Sequence, residues 1–210
     1  MHRLILEAST PTVTWVWAQD QKVLNSGTLS GTVASSLIPS LQNNLPLSSP
    51  ADQILVGVGP GSFSGIRAAI ATAQGIAASW SCPILPIRST QAIAQQFPEV
   101  THLGIFSDAR RGDVFATFYD HGKLCRPTTV HPMSHLPELL SRCTLAVTPD
   151  GLTDIPRIAH PSALHLLASL VSSPLEPDLP LAPLHLRPAV APSRTPLFNS
   201  HLATSIPTIP

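Results

Sequence analysis

The segment Gly57-Val58-Gly59-Pro60-Gly61-Ser62-Phe63-Ser64-Gly65 constrains the fold of this chain more than any other. It ends a short apolar run rich in branched residues, Gln53 to Gly59, that reads as a buried strand, and it opens onto a long apolar stretch of helical character. Strand, glycine-rich reversal and helix in that order belong to an α/β fold. A turn of this kind at a helix N-terminus can cradle an anion, because unpaired N–H groups and the helix dipole both favour negative charge. It lacks the GK[ST] of a Walker loop, and a proline and a serine interrupt the GxGxxG register. Glycine's commonest use is conformational, so Gly59, Pro60, Gly61, Ser62 and Gly65 read first as a tight turn and second as a phosphate site.

The helix that follows, about Ser64 to Ser79, carries a single charge, Arg67. Ile66, Ala69, Ile70, Ala73 and Ala77 form one apolar stripe; Ala68, Ala71, Thr72, Gly75 and Ala78 form a second face of small residues. A helix without a polar face is buried on all sides, and small side chains let another helix come close. Either it packs at the centre of one domain, or it gives a face to another protein; at this chain length the second reading is favoured. An earlier stretch, Val33 to Leu45, places Leu37, Ile38, Leu41 and Leu45 at amphipathic spacing, with Pro39 inside it to delay or kink the helix.

Around these helices the chain reads as strands at 3–7, 12–18 and 22–27, then 83–87, a helix from Ser89 to about Gln96, and strands at 102–107, 113–119 and 124–130. A helix near 135–140, a strand at 145–148 and a helix at 162–172 complete a weaker repeat of the first half. Two lobes are expected, residues 1–98 and a shorter 99–179, with Pro98 at their boundary and a proline-rich segment 180–210 that loosens after about 193. Asp108-Ala109-Arg110-Arg111-Gly112-Asp113 concentrates charge between two strands, and reads equally as a charged turn or as a carboxylate–guanidinium pair, Asp108 with Arg110, in a cleft.

Twelve basic residues balance twelve acidic ones, so the chain lacks the positive field that would by itself hold a polyanion such as tRNA. Only 11% of residues are charged, which leaves little charge to cover a surface and favours life in an assembly. No run approaches the roughly 20 apolar residues of a membrane span, and Glu7 interrupts the start before a signal core could form; a cytoplasmic location is expected. Cys82, Cys125 and Cys143 are too widely spaced for a zinc site and read as small buried hydrophobes. The nine histidines show no HxxxH or HExxH, and no serine–histidine–acid order suggests a hydrolase.

The stretch GVGPGSFSGIRAAIATAQGIA resembles the signature of the TsaB (YeaZ) family, GxGPGSFTGxR followed by an ATAxGLA-like helix, with Ser64 in place of threonine. The resemblance continues in LILEAST (4–10), in Ile87-Arg88-Ser89-Thr90, in the segment 106–115 and in Leu184-His185-Leu186-Arg187. Glu7 and Ala8 stand where the family has aspartate and threonine, and the helix from Val33 lacks the usual His-Ser-Glu opening. The resemblance implies a two-lobed, actin-like and sugar-kinase-like α/β fold with duplicated βββαβα lobes. It also implies a non-catalytic subunit for threonylcarbamoyladenosine formation at adenosine 37 of ANN-decoding tRNAs. The implied partners are TsaD, which transfers the threonylcarbamoyl group, and the ATPase TsaE, with tRNA met only indirectly. No cofactor would be held tightly by this chain, ATP entering at the level of the complex. Family members pair through their first two helices, with the partner or with a second copy to make a homodimer. That assigns partner contacts to Leu37, Leu41, Arg67, Ala68, Ala71, Thr72, Gly75 and Ala78. The rival reading is an enzyme in which the glycine turn, Asp108 and Arg110 handle ATP or another phosphorylated ligand in the interlobe cleft.

Overall fold

In the computed structural model, residues 1–30, 33–46, 50–173 and 175–184 are described, with side chains from Ser36 onward in the first helix. His185, Leu186 and Arg187 of the late motif, and the proline-rich end after 193, lie outside the described residues.

Alternation of side chains along the first strands explains the core. β1 (His2–Glu7) sends Leu4 and Leu6 to one face of its sheet and Ile5 to the other. β2 (Thr12–Gln19) does the same with Val13, Trp15 and Trp17 against Val16 and Ala18, and β4 (Gln53–Gly57) with Ile54 and Val56 against Leu55. Because side chains alternate with a period of two, strands apolar on both faces must be covered on both. With β3 (Lys22–Ser30) and β5 (Ile84–Ile87) they form a five-stranded sheet in the order β3-β2-β1-β4-β5. The meander is antiparallel, and β1–β4 and β4–β5 are parallel.

Two helices cover one face, α1 (Val33–Asn44) and α2 (Phe63–Trp80). Pro39 lies inside α1, which runs through it rather than starting after it. The strand expected to reach Gly59 ends at Gly57, where the backbone leaves the sheet for the glycine turn. α3 (Ser89–Ala94) follows β5, and all six of its residues are buried.

The second sheet repeats the order, β8-β7-β6-β9, from β6 (Leu103–Arg110), β7 (Asp113–Asp120), β8 (Lys123–Pro132) and β9 (Leu145–Val147). Its β6–β9 pair is parallel, as β1–β4 is in the first. A short 3-10 turn (Met133–His135) leads into α4 (Leu136–Leu140), which packs with Phe106 and Val114. This is the two-lobed α/β arrangement with a repeated sheet topology expected from the sequence. α3 joins the lobes: Ala92 packs in the first core, Ile93 and Ala94 in the second, and the Thr90 hydroxyl is 2.9 Å from that of Tyr119 on β7.

The last helix, α5 (Ala163–Ser172), crosses back to the first lobe. Leu166 and Leu167 pack with Ile5, Val16 and Leu55, and the Ala163 amide donates to the Thr14 hydroxyl at 2.8 Å. One cysteine departs from expectation: Cys125 is exposed on β8, an edge strand with one face in solvent, while Cys82 and Cys143 are half-buried. No described helix is long and apolar enough to cross a membrane.

Candidate partner-docking face and interlobe cleft

α2 starts where Ser62 caps it, its hydroxyl accepting from the Gly65 amide at 3.3 Å, and stops where Ser81 turns left-handed at φ 54. Eighteen residues give it five turns, and its two stripes part cleanly. Ile66, Ala69, Ile70, Ala73 and Ala77 are buried against the sheet. Of the second face, Ala71, Gly75 and Ala78 are exposed and Ala68 and Thr72 half-exposed. Gly75 explains itself least from within: a Cβ added there would meet nothing within 4 Å. A glycine in mid-helix costs about 0.5–1 kcal/mol relative to alanine, and nothing among the described residues requires it.

Between α1 and α2 runs an apolar groove of about 550 Å³, lined by Ile38, Leu41, Ala68, Thr72, Gly75 and Trp80 among others. Leu37 and Leu41, assigned above as partner contacts, are only 1% and 2% exposed and belong to this chain's own core. Helical spacing finds the stripe facing the sheet; the exposed large hydrophobic residue among those described in α1 is Ile38, 47% exposed. Arg67 is exposed, its guanidinium 5.2 Å above the ring of Phe63.

The glycine turn is filled by protein. The Ser9 carbonyl accepts from the Ser62 amide at 2.7 Å, and the Gly59 amide donates to the Ser89 hydroxyl at 3.0 Å. A Cβ on Gly61 would strike the Ser9 carbonyl, and one on Gly65 the Ala8 carbonyl. Gly59 and Gly61 also have φ of 98° and 152°, which a side chain would strain. Gly59 and Pro60 are buried, so the turn's glycines admit the β1–β2 loop against the start of α2.

Asp108 and Arg110 do form a pair, 2.9 Å apart, within their own turn: the Arg110 amide also donates to Asp108 Oδ1 at 2.7 Å. Both line a cleft of about 1100 Å³ between the lobes, with Ser9, Thr10, Ser62 and Ser64 opposite. Asp150 was not singled out from sequence. Its carboxylate accepts the Asp108 amide at 2.8 Å; burial raises its pKa and neighbouring Asp108 adds to the rise, opposed by that amide, Arg110 and His160. Only the fold brings Asp150 to Asp108, so no sequence spacing could have found it. Among the described residues no three metal-ligating side chains cluster.

A family model described as TsaD, tRNA N6-adenosine threonylcarbamoyltransferase, matches residues 35–131. The curated tRNA threonylcarbamoyladenosine biosynthesis protein TsaB of Haemophilus influenzae is 34% identical over 67 residues, 30% of this chain and 28% of that protein. The match thus spans less than a third of that relative's length. Among solved structures, YeaZ from Pseudomonas aeruginosa superposes with a TM-score of 0.65 at 23% identity, covering 81% of this chain and 91% of that one. A second structure, of an uncharacterised protein with similarity to peptidase YeaZ from Pseudomonas aeruginosa, gives 0.64 at 23% identity over 81% and 90%. At such identity the likeness speaks for the fold. In its signature helix and in the stretch it shares with a TsaB protein this chain is similar to the TsaB (YeaZ) family, and its fold is like that of YeaZ.

Proposed function

We propose that this chain is a partner subunit in tRNA threonylcarbamoyladenosine biosynthesis, docking a TsaD-like protein through α1 and α2 and carrying no chemistry itself. The observation that carries the reading is the outer face of α2, small and apolar and left open by the described residues, with Gly75 placed where none of them needs it. Helices approach most closely over small residues, at interaxial distances of about 8–10 Å. Ile38, Ala68, Ala71, Thr72, Gly75 and Ala78 are the contacts on this side. A TsaE-like ATPase and tRNA would join at the level of the complex, and a boundary near residue 98 would close the docking lobe, to which α5 and Leu179 return.

A second reading, a phosphorylated ligand such as ATP in the interlobe cleft, is favoured by one observation: Thr10, Ser64 and Arg110 line a cleft of about 1100 Å³. Against it stands the glycine turn, already occupied by the Ser9 carbonyl. Reconstitution separates the two. With TsaD- and TsaE-like proteins of the same cell, ATP and tRNA, product should require this chain, and the chain alone should neither bind nor turn over magnesium–ATP. Product formed equally without it would remove the subunit reading, and magnesium–ATP binding by the isolated chain would establish the cleft.

A further inference from the structure

We propose that residues 175–184 form a stiff strap whose latch, the Arg88–Glu176 ion pair, sets the position of one wall shared by the interlobe cleft and the groove beside the first turns of α2. Leu175 packs in the core beneath α5, while Leu179, Leu181 and Leu184 pack in the core beneath α1 and α2. The segment therefore crosses from one face of the first sheet to the other, passing Arg88 where edge strand β5 ends. At its far end Leu181, Ala182 and Pro183 wall a groove of about 520 Å³ with Phe63 and Ser64, and Pro183 and Leu184 wall the cleft with Asp108 and Asp150. The arrangement belongs to the chain by itself, with or without a docked partner.

Arg88 offers its fork to both carboxylate oxygens of Glu176, Nε to Oε1 at 2.6 Å and a terminal nitrogen to Oε2 at 2.8 Å. Two parallel charge-assisted bonds fix direction as well as distance. The Arg88 side chain is only 11% exposed and pairs with no other carboxylate among the described residues, so releasing Glu176 leaves a cation buried and unpaired. The latch stands at the lobe junction. Both of its charges act on the buried Tyr119 hydroxyl, and just before it the Ser173 hydroxyl donates to the Gly122 carbonyl of the β7–β8 turn at 3.2 Å. A turn of the second lobe about α3 pulls on Ser173 first and on the latch next.

Proline recurs at every third position of the strap, Pro177, Pro180 and Pro183. Each ring fixes φ at about −65°, and a chain so restricted passes a displacement along instead of absorbing it. Pro177 and Pro180 are exposed, so their rings serve no core. The displacement ends at Leu184, whose amide donates to the Val58 carbonyl at 3.0 Å in the step between β4 and the glycine turn. Latched, the strap holds the shared wall beside α2; released, it moves the wall, and the cleft and the α2 groove change together. Two sites are then coupled through one element with two states.

Amide hydrogen exchange, resolved by residue on the full chain, tests the strap. Glu176→Gln should speed exchange at Leu184 about tenfold while the amides of β1 and β4 exchange as in wild type. Arg88→Met/Glu176→Met, which leaves no buried charge, should return Leu184 towards the wild-type rate. In a Pro177→Gly/Pro180→Gly background the same Glu176→Gln change should move Leu184 less than about threefold, because a softened strap absorbs the release. Arg142→Met, which opens the exposed pair with Glu138 on the second lobe, should leave Leu184 unchanged. If Glu176→Gln frees the Leu179 amide, which donates to the Glu176 carbonyl, yet leaves Leu184 at its wild-type rate, the strap transmits nothing and the proposal falls. Faster exchange through the whole chain by one common factor overturns it too, since that marks lost stability and not a moving wall.

Discussion

Glu7 sits wholly buried at the end of β1, where a carboxylate is least at home. Its Oε1 accepts the Ser9 amide at 2.7 Å, and its Oε2 has no hydrogen-bond partner among the described residues. Burial raises its pKa above the ordinary 4.5, and the Ser9 and Ser89 hydroxyls and the nearby amides oppose that only in part. The folded chain therefore holds a proton on Glu7 at pH values where the unfolded chain has released it. Stability contributed by the neutral acid is complete below the unfolded pKa and is lost as pH rises through the folded one. As pH rises above the ordinary carboxylate range, wild type should lose thermal stability, and Glu7→Gln, always neutral, should lose less. Melting curves with parallel pH dependence would contradict this. Glu7 was visible in the sequence as a departure from an aspartate; its burial was not, because that depends on Gly57, where any Cβ would meet Oε2.

α2 shows how far helical periodicity carries. Both of its stripes were legible from spacing alone, since a period of 3.6 sorts residues onto faces without knowledge of what covers them. Spacing could not say which stripe the chain's own sheet would take, nor that in α1 the apolar stripe of Leu37 and Leu41 would turn inward and leave Ile38 outside. Nor could it say that α5 packs on the first sheet and not the second, for Leu166 and Leu167 would suit either core. The open position of Gly75 gives a prediction at this scale. Gly75→Ala should stabilise the isolated chain by about 0.5–1 kcal/mol, because helix propensity rises and no clash opposes it. The same methyl should weaken partner binding, since it stands where the second helix comes closest. A variant both more stable and equally competent to bind would place the partner elsewhere.

The whole molecule is two sheets of one topology, and that repeat was readable because each lobe carries a meander, then a helix, then a parallel strand. What joins the lobes was not readable. The Thr90–Tyr119 hydrogen bond joins them, and the Arg88–Glu176 ion pair, at 2.6 and 2.8 Å, ties the segment after α5 to the first lobe; both link residues far apart in sequence. The cleft likewise gathers Ser9, Ser62, Asp108 and Asp150 from both lobes, and only Asp108 and its turn announced themselves by charge. The docking proposal holds that the surface left open by the described residues of the first lobe is covered by another protein.

The most direct measurement is the affinity of the TsaD-like protein for this full chain, wild type against Gly75→Arg, with melting temperatures recorded for both. Gly75 faces open space, so the variant should fold and melt near wild type, while an arginine buried at the contact without a counter-charge should cost several kcal/mol and abolish a micromolar complex. Unchanged affinity in a normally folded Gly75→Arg chain would contradict the claim and move the search for a ligand to the interlobe cleft.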